Sequence, residues 1–270
     1  MSIPANPLVS VIIACYNAEK YIDACLASIV NQTYSNLEII VCDDASTDGS
    51  LKKLHEWKDK DNRIIVLSNK TNMFSAATRN RCIEVSHGEF LMIQDVDDIS
   101  KLDRAEKLLK TFSDHPDMSI ISSSFDCFIQ DPNVIIKTYK TNNKFPTKYS
   151  FMRGMPFSHP ASMIKRKCVL DVSGYRIAKE TRRCQDYDMF MRMYAKGHRA
   201  MVIDEALYLY RLDEANYRRR TFAARVGEYK IRLNGYREMG IMPWAYPYAL
   251  KPFLAYFVQY IKNSIRRRVK

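Results

Sequence analysis

Glycine is scarce, with 8 in 270 residues. That excludes collagen-like and low-complexity classes and leaves little material for glycine-rich phosphate loops. Seven cysteines are present (Cys15, Cys25, Cys42, Cys82, Cys127, Cys168 and Cys184), and no two stand in CxxC spacing. Zinc-ribbon and thioredoxin-type readings therefore fail. Several lie inside apolar runs, where a free thiol behaves as a small hydrophobe, which suits a reducing compartment. Met1 to Pro7 hold two prolines and no basic stretch, so no signal peptide is read there. No apolar run reaches the ~18 residues of a membrane span. The nearest, 239–261, is broken by Pro243, Pro247, Lys251 and Pro252.

What is present is a chain of 47% hydrophobic and 27% charged residues, enough for a buried core in one large or two small domains. The net charge of +12 is unevenly spread. Residues 211–270 hold 14 Lys/Arg against 4 Asp/Glu, and residues 1–210 hold 28 against 26. A near-neutral body with a basic tail points to an anionic partner for the tail alone.

The first half alternates two periods. Residues 8–15 (LVSVIIAC), 37–42, 64–67, 90–93 and 118–122 read as short buried strands rich in β-branched residues. Between them, 21–30, a segment carrying Leu51, Leu54 and Trp57, 75–86 and 102–112 read as amphipathic helices. Ser46 or Thr47 is positioned to cap the second of these. This alternation predicts right-handed βαβ units in an open parallel sheet. Beyond residue 123, strands are expected at 134–139, 161–164, 201–203 and 206–210 and a helix at 185–196. The last 55 residues read as helices. The division expected is a body of 1–215 and a basic, aromatic helical extension of 216–270.

In open α/β sheets, ligands bind outside the carboxyl ends of the strands. Those ends are acidic here: Asp43 and Asp44 after the second strand, and Asp95, Asp97 and Asp98 after the fourth. The first ends in Ala14-Cys15-Tyr16-Asn17, with nothing like G-x-G-x-x-G. Carboxylates without a glycine cradle favour a diphosphate held through Mg²⁺ or Mn²⁺, which take one or two carboxylates plus phosphate oxygens. D-x-D alone is a weak motif, and a solvated helix-capping turn explains it equally well. Asp44 to Gly49 imitates the start of a calcium loop, but its twelfth position is His55 rather than a bidentate Glu.

Taken in order, VSVIIACYNAEKYI (9–22), VCDDASTDGS (41–50), TNMFSAATRN (71–80), LMIQDVDDIS (91–100), FSHPASMIKR (157–166), GYR (174–176), QDYDMFMRM (185–193) and EALYLYR (205–211) resemble the family 2 glycosyltransferases. Within that family the chain is most similar to bacterial exopolysaccharide and capsule transferases. The resemblance spans residues 8–215. It implies a GT-A fold, a Rossmann-like, mostly parallel sheet flanked by helices, and inversion of the anomeric centre in one displacement.

The resemblance also implies roles. Ala14, Tyr16, Asn17 and Glu19 would line a nucleotide pocket, with Asp43, Asp44 and Asn72 on the base side. Arg79 would approach the donor diphosphate or support the aspartates. Asp95 would contact ribose, sugar or metal, and Asp97 would bind Mn²⁺ or Mg²⁺. Asp186 would be the base that takes the acceptor proton. The family commonly has Glu-Asp where this chain has Gln185-Asp186, which bears on acceptor binding. His159, Arg182 and Arg183 are candidates for acceptor or phosphate contacts, against the plainer reading of a loop histidine and a solvated charge pair.

The expected donor is a UDP-sugar and the expected acceptor a saccharide or lipid-linked chain. The tail mixes Trp244, Tyr246, Tyr248, Phe253, Tyr256, Phe257 and Tyr260 with Arg266-Arg267-Arg268 and Lys270. That composition suits an anionic membrane surface, hence a cytoplasmic protein held peripherally at the inner face of the membrane; a helix packed on the body is the plainer reading. No nucleic-acid motif accompanies the charge. Two rivals stand beside the transferase. One is a catalytically silent GT-A module that binds a nucleotide sugar or a protein. The other is a nucleotidyltransferase, which usually carries an N-terminal glycine-rich basic signature that this sequence lacks.

Overall fold

The computed structural model describes residues 6–212 and 221–257. Its first strand, β1 (Val9–Cys15), is apolar but for Ser10 because both faces are covered. Ile12 enters one core with Ile40 of β2 (Leu37–Asp43) and Leu91 and Ile93 of β4 (Phe90–Asp95). Val11 and Ile13 enter the other with Ile39, Val41 and Met92. With β3 (Ile64–Ser68) these strands pair in parallel in the order β3-β2-β1-β4. The connecting helices are α1 (Ile22–Val30), α2 (Ser50–Lys60) and α3 (Phe74–Glu84), the βαβ alternation that the sequence predicts.

Past β4 the sheet becomes mixed. After the short β5 (Ile99–Ser100) and α4 (Arg104–Asp114) come β6 (Ile120–Phe128), β7 (Lys137–Tyr139) and β8 (Ser162–Lys165). β8 lies antiparallel between β4 and β6. The helices α5 (Arg166–Asp171) and α6 (Gln185–Ala195) follow. The two strands expected at 201–203 and 206–210 are one, β9 (Ala200–Arg211), parallel to β6. Its register jumps from Ile203 to Ala206, leaving the exposed Asp204 and Glu205 as the irregularity that splits the pattern.

Helix capping differs from expectation at α2. Neither Ser46 nor Thr47 caps it; Asp48 Oδ1 accepts the Ser50 amide at 3.0 Å and the Ser50 hydroxyl at 2.5 Å. Ser46 Oγ instead accepts the Asn17 amide at 2.9 Å.

The C-terminal part packs on the body. Helix α7 (Phe222–Glu238) is followed by a 3-10 segment, Pro243–Leu250, and helical residues 251–257. Ile231, Tyr236, Met239, Ile241, Ala245 and Ala249 join the core that holds Met189, Met191 and Met193 of α6. Two glycines allow the approach. A side chain at Gly227 would meet the Glu180 carbonyl oxygen at 2.8 Å, and one at Gly235 would meet Met191 Sδ at 2.5 Å. The 215/216 boundary, Tyr260, Arg266-Arg267-Arg268 and Lys270 lie outside the described residues. Among the described residues no helix is long and apolar enough to cross a membrane.

A buried polar bracket fixes the turn after β4. Arg104, fully buried, donates to Gln94 Oε1 (3.1 Å), Ser100 Oγ (2.8 Å) and the carbonyls of Ile93 (2.8 Å) and Pro160 (2.7 Å). Its guanidinium lies 4.8 Å from the centre of the Tyr208 ring. The Tyr208 hydroxyl donates to Asp98 Oδ2 at 2.9 Å and accepts the Asp95 amide at 3.1 Å. Asp98 Oδ1 accepts the Arg211 amide at 2.7 Å. Replacing Tyr208 by Phe leaves two buried partners unmet, at a cost of about 1–3 kcal/mol. Urea denaturation of Tyr208→Phe against wild type is expected to show that loss.

Candidate functional site

A cavity of about 440 Å³ opens at the carboxyl ends of β1, β2 and β4. It is lined by Ala14, Tyr16, Asn17, Asp44, Arg79, Asp95 and Asp97, together with Lys20, Tyr21, Ser75 and Thr78. The parallel register sets this edge, pairing Cys15 with Asp43 and Ala14 with Asp95. Seven of the residues singled out from the sequence therefore line one space. Lys20, Ser75 and Thr78 were not singled out, although each lies within a motif quoted above.

Within that edge the acidic residues divide their tasks. Asp44, almost fully buried, accepts Asn69 Nδ2 at 2.6 Å and the Met73 amide at 2.7 Å. It thereby holds the start of α3 against β2. Asp43 accepts the Ser46 amide at 3.1 Å, and its Oδ1 has no partner among the described residues. Asp98 is withdrawn from the cavity into the bracket. Burial, reinforced by Asp97 and Asp95, pushes its carboxyl well above the usual range. Three of the five strand-end carboxylates, Asp44, Asp95 and Asp97, thus line the cavity, and Asp43, expected there, does not.

Asn17 and Glu19 act mainly on the neighbouring loop. Asn17, at φ 49°, accepts the Thr47 amide at 2.8 Å. Glu19 accepts the Gly49 amide at 3.0 Å and is not among the cavity-lining residues. Asn72 accepts the Phe74 amide at 3.2 Å, turning the chain into α3.

Arg79 is the pivotal cation. Its Nη2 donates to Asp95 Oδ1 at 2.6 Å, while Nε and Nη1 are buried with no partner among the described residues. Although burial opposes its charge, Asp95, Tyr175 and Asp186 raise its pKa overall. His159 stands behind it, buried, with Nε2 2.7 Å from the Tyr175 hydroxyl. Burial and then Arg79 lower its pKa to about 3, so the ring stays neutral.

A second cavity of about 440 Å³ lies between α6 and α7. Asp186, Tyr187, Arg183, Met155 and Tyr210 face Arg225, Glu228 and Arg232 across it. Asp186 accepts the Tyr187 amide at 2.8 Å. Desolvation raises its pKa; that amide and then Arg79 oppose the rise, and Asp95 adds to it. Asp188 is unavailable as a rival base, being buried against Arg192 Nε at 2.8 Å and Arg176 at 3.5 Å.

The pair Arg182-Arg183 separates. Arg182 stacks 3.6 Å from the centre of the Phe74 ring, while Arg183 lines the second cavity. Gln185, with its amide turned to satisfy both ends, donates to the carbonyls of Thr181 and Arg182 at 3.2 Å and accepts Ser75 Oγ at 3.3 Å. A glutamate would lack those donors, which gives the departure from Glu-Asp a physical basis. Arg225, Glu228 and Arg232 were not foreseen. Their i, i+3, i+7 spacing on one helical face was the available signal.

Among the described residues no cluster of three metal donors exists. Asp95 and Asp97 fit an ion that draws its remaining ligands from a bound diphosphate, and the unpartnered Arg79 nitrogens suit the same anion.

Comparison with known proteins bears on the family and the fold. The profile of glycosyl transferase family 2 matches residues 10–172. A Bacillus subtilis (strain 168) protein named as glycosyltransferase EpsE is 30% identical over 255 residues, 94% of this chain and 91% of that protein. The same organism's TuaG, named as a teichuronic acid biosynthesis glycosyltransferase, is 28% identical over 273 residues, 98% of each chain. Among solved structures, S. aureus TarS 1–349 in complex with UDP-GlcNAc has a TM-score of 0.71 at 19% identity, over 91% of this chain and 70% of that one. Mannosyltransferase PcManGT from Pyrobaculum calidifontis, in complex with GDP-Man and Mn²⁺, has a TM-score of 0.65 at 19% identity, over 93% and 75%. The fold is thus shared with GT-A enzymes, and the protein is a glycosyltransferase. The chain belongs to glycosyl transferase family 2.

Proposed function

We propose that the protein is an inverting transferase that moves a sugar from a nucleotide donor, most simply a UDP-sugar, to a hydroxyl of a lipid-linked or growing surface polysaccharide. The observation that carries this reading is the arrangement Asp95–Arg79–Asp186. One cation is bonded to the sheet-edge cavity's aspartate and electrostatically linked to the carboxylate of the adjoining cavity. TarS with UDP-GlcNAc and PcManGT with GDP-Man and Mn²⁺ support a nucleotide-sugar donor. TuaG supports polysaccharide synthesis.

In this reading Tyr16 and Asp44 flank the nucleoside, and Arg79 neutralises charge on the diphosphate. A divalent ion, held by Asp97 with Asp95, would supply stabilisation of the departing diphosphate. Asp186 takes the proton of the acceptor hydroxyl as that oxygen attacks the anomeric carbon and the nucleoside diphosphate leaves. His159 serves as a neutral support behind Arg79. Residues 1–215 form the catalytic unit, and 216–270 supply the far wall of the second cavity and a membrane-facing end. Trp244, Leu254 and Phe257 are more than half exposed there, with the basic cluster following in sequence.

Four outcomes follow. Calorimetry should find UDP binding that requires Mn²⁺ and weakens at least tenfold in Asp97→Ala; absence of metal-dependent binding to any nucleotide would leave a silent module. Transfer should rise with pH through a midpoint above the ~3.9 of an ordinary aspartate, because Asp186 must be ionised and its pKa is raised. Asp186→Asn should lower kcat roughly 10²–10⁴-fold. In vesicle sedimentation, the full chain should pellet with anionic vesicles at low salt. Arg266→Glu/Arg267→Glu/Arg268→Glu should abolish pelleting, and equal pelleting of both proteins would remove the membrane role.

A further inference from the structure

The second cavity holds more positive charge than its own carboxylates use. Glu228 accepts Arg225 Nη1 at 2.9 Å and Arg232 Nη2 at 3.0 Å, so one carboxylate serves two guanidiniums. Arg232 is the more deeply buried, with its guanidinium 5.0 Å from the centre of the Tyr187 ring. Arg225 is different. Its Nε is buried and has no partner among the described residues, although the side chain lines an open cavity. Arg183, exposed, lines the same space. An unmet buried N–H is destabilising, and a planar guanidinium is shaped for a bidentate oxyanion.

We propose that this cavity is an acceptor subsite that selects an acceptor carrying an anionic group, with phosphate or carboxylate oxygens held by Arg225 and Arg183. The inference rests on the glycosyltransferase reading above and names the substrate class of that site. Asp186 lines the same cavity, so the attacking hydroxyl and the anion share one space. Tyr187, Tyr210 and Met155 offer surfaces on which a sugar ring can lie. Glu228 keeps the two helical arginines from repelling each other and is not spare for the ligand. Three guanidiniums (Arg183, Arg225 and Arg232) face two carboxylates (Asp186 and Glu228) in the lining; a neutral acceptor would leave that excess unbalanced, and an anion balances it.

The test uses the full chain saturated with UDP and Mn²⁺, so that the sheet-edge cavity is filled. Farnesyl diphosphate, methyl β-glucuronide and methyl β-glucoside are then titrated by calorimetry. At least one anionic probe should bind, with the neutral glucoside roughly tenfold weaker or worse. Arg225→Gln should weaken that anion about tenfold, Arg225→Lys should retain part of the affinity, and the Kd for UDP should stay within about twofold. Binding of the diphosphate alone assigns the anion to a lipid diphosphate; binding of the glucuronide alone assigns it to an acidic sugar. Arg183→Gln, at an exposed position, gives a parallel reading if Arg225→Gln fails to fold. Anions that bind no better than the glucoside, or equally well to both variants and wild type, would overturn the proposal and leave a structural ion-pair network. If UDP itself fails to bind, the glycosyltransferase reading is what falls.

Discussion

The arrangement depends on one buried guanidinium. Taking Arg79 out of water costs several kcal/mol unless carboxylates and hydrogen bonds compensate. The compensation comes chiefly from Asp95 at the end of β4, which also bonds the cation, with smaller contributions from Tyr175 and from Asp186 at the start of α6. α3 brings the cation to that meeting point because Ala76, Ala77, Cys82 and Ile83 bury the rest of the helix against the sheet. Without Asp95, the site would hold an undercompensated charge. The proposed donor geometry and local stability thus draw on the same ion pair.

The bracket of Arg104, Tyr208 and Asp98 serves that pair from below. Asp95 can face Arg79 only if the turn after β4 is fixed, and its amide is held by the Tyr208 hydroxyl. The same hydroxyl and the Arg211 amide occupy Asp98, so this carboxyl turns inward while Asp95 and Asp97 remain at the cavity. Neighbouring aspartates in one tetrapeptide therefore acquire opposite tasks. Burial rather than sequence position separates them.

This explains what was legible and what was not. The βαβ half could be read because strands covered on both faces are largely apolar and their helices carry one apolar stripe. That Asp44, Asp95 and Asp97 share one cavity could be read because each lies at a strand end within a spaced motif. The withdrawal of Asp98 could not, since it depends on Tyr208 and Arg211, more than a hundred residues away. β9 was divided because Asp204 and Glu205 interrupt its pattern where the ladder slips. Ser46 had the composition of a cap, yet its hydroxyl was taken by Asn17 while Asp48 capped α2. Local propensity names candidates, and long-range partners choose among them.

The C-terminal helix shows the same principle at the level of the site. Gly227 and Gly235 permit α7 to lie close to Glu180 and Met191, and that approach leaves a space lined by Asp186 on one wall and Arg225, Glu228 and Arg232 on the other. The 181–185 turn joins this space to the sheet edge through Gln185 at Ser75 and Arg182 at Phe74. Any shift of α7 would therefore be felt at Asp186, and through Arg79 at the strand ends. The basic residues of the extension consequently serve two purposes. Arg225 and Arg232 of α7 are built into a cavity wall by packing, whereas Lys230 and Arg237 of the same helix are exposed. Counting the two sets together as one basic tail hides the distinction, because the net charge of a segment does not reveal which cations face inward.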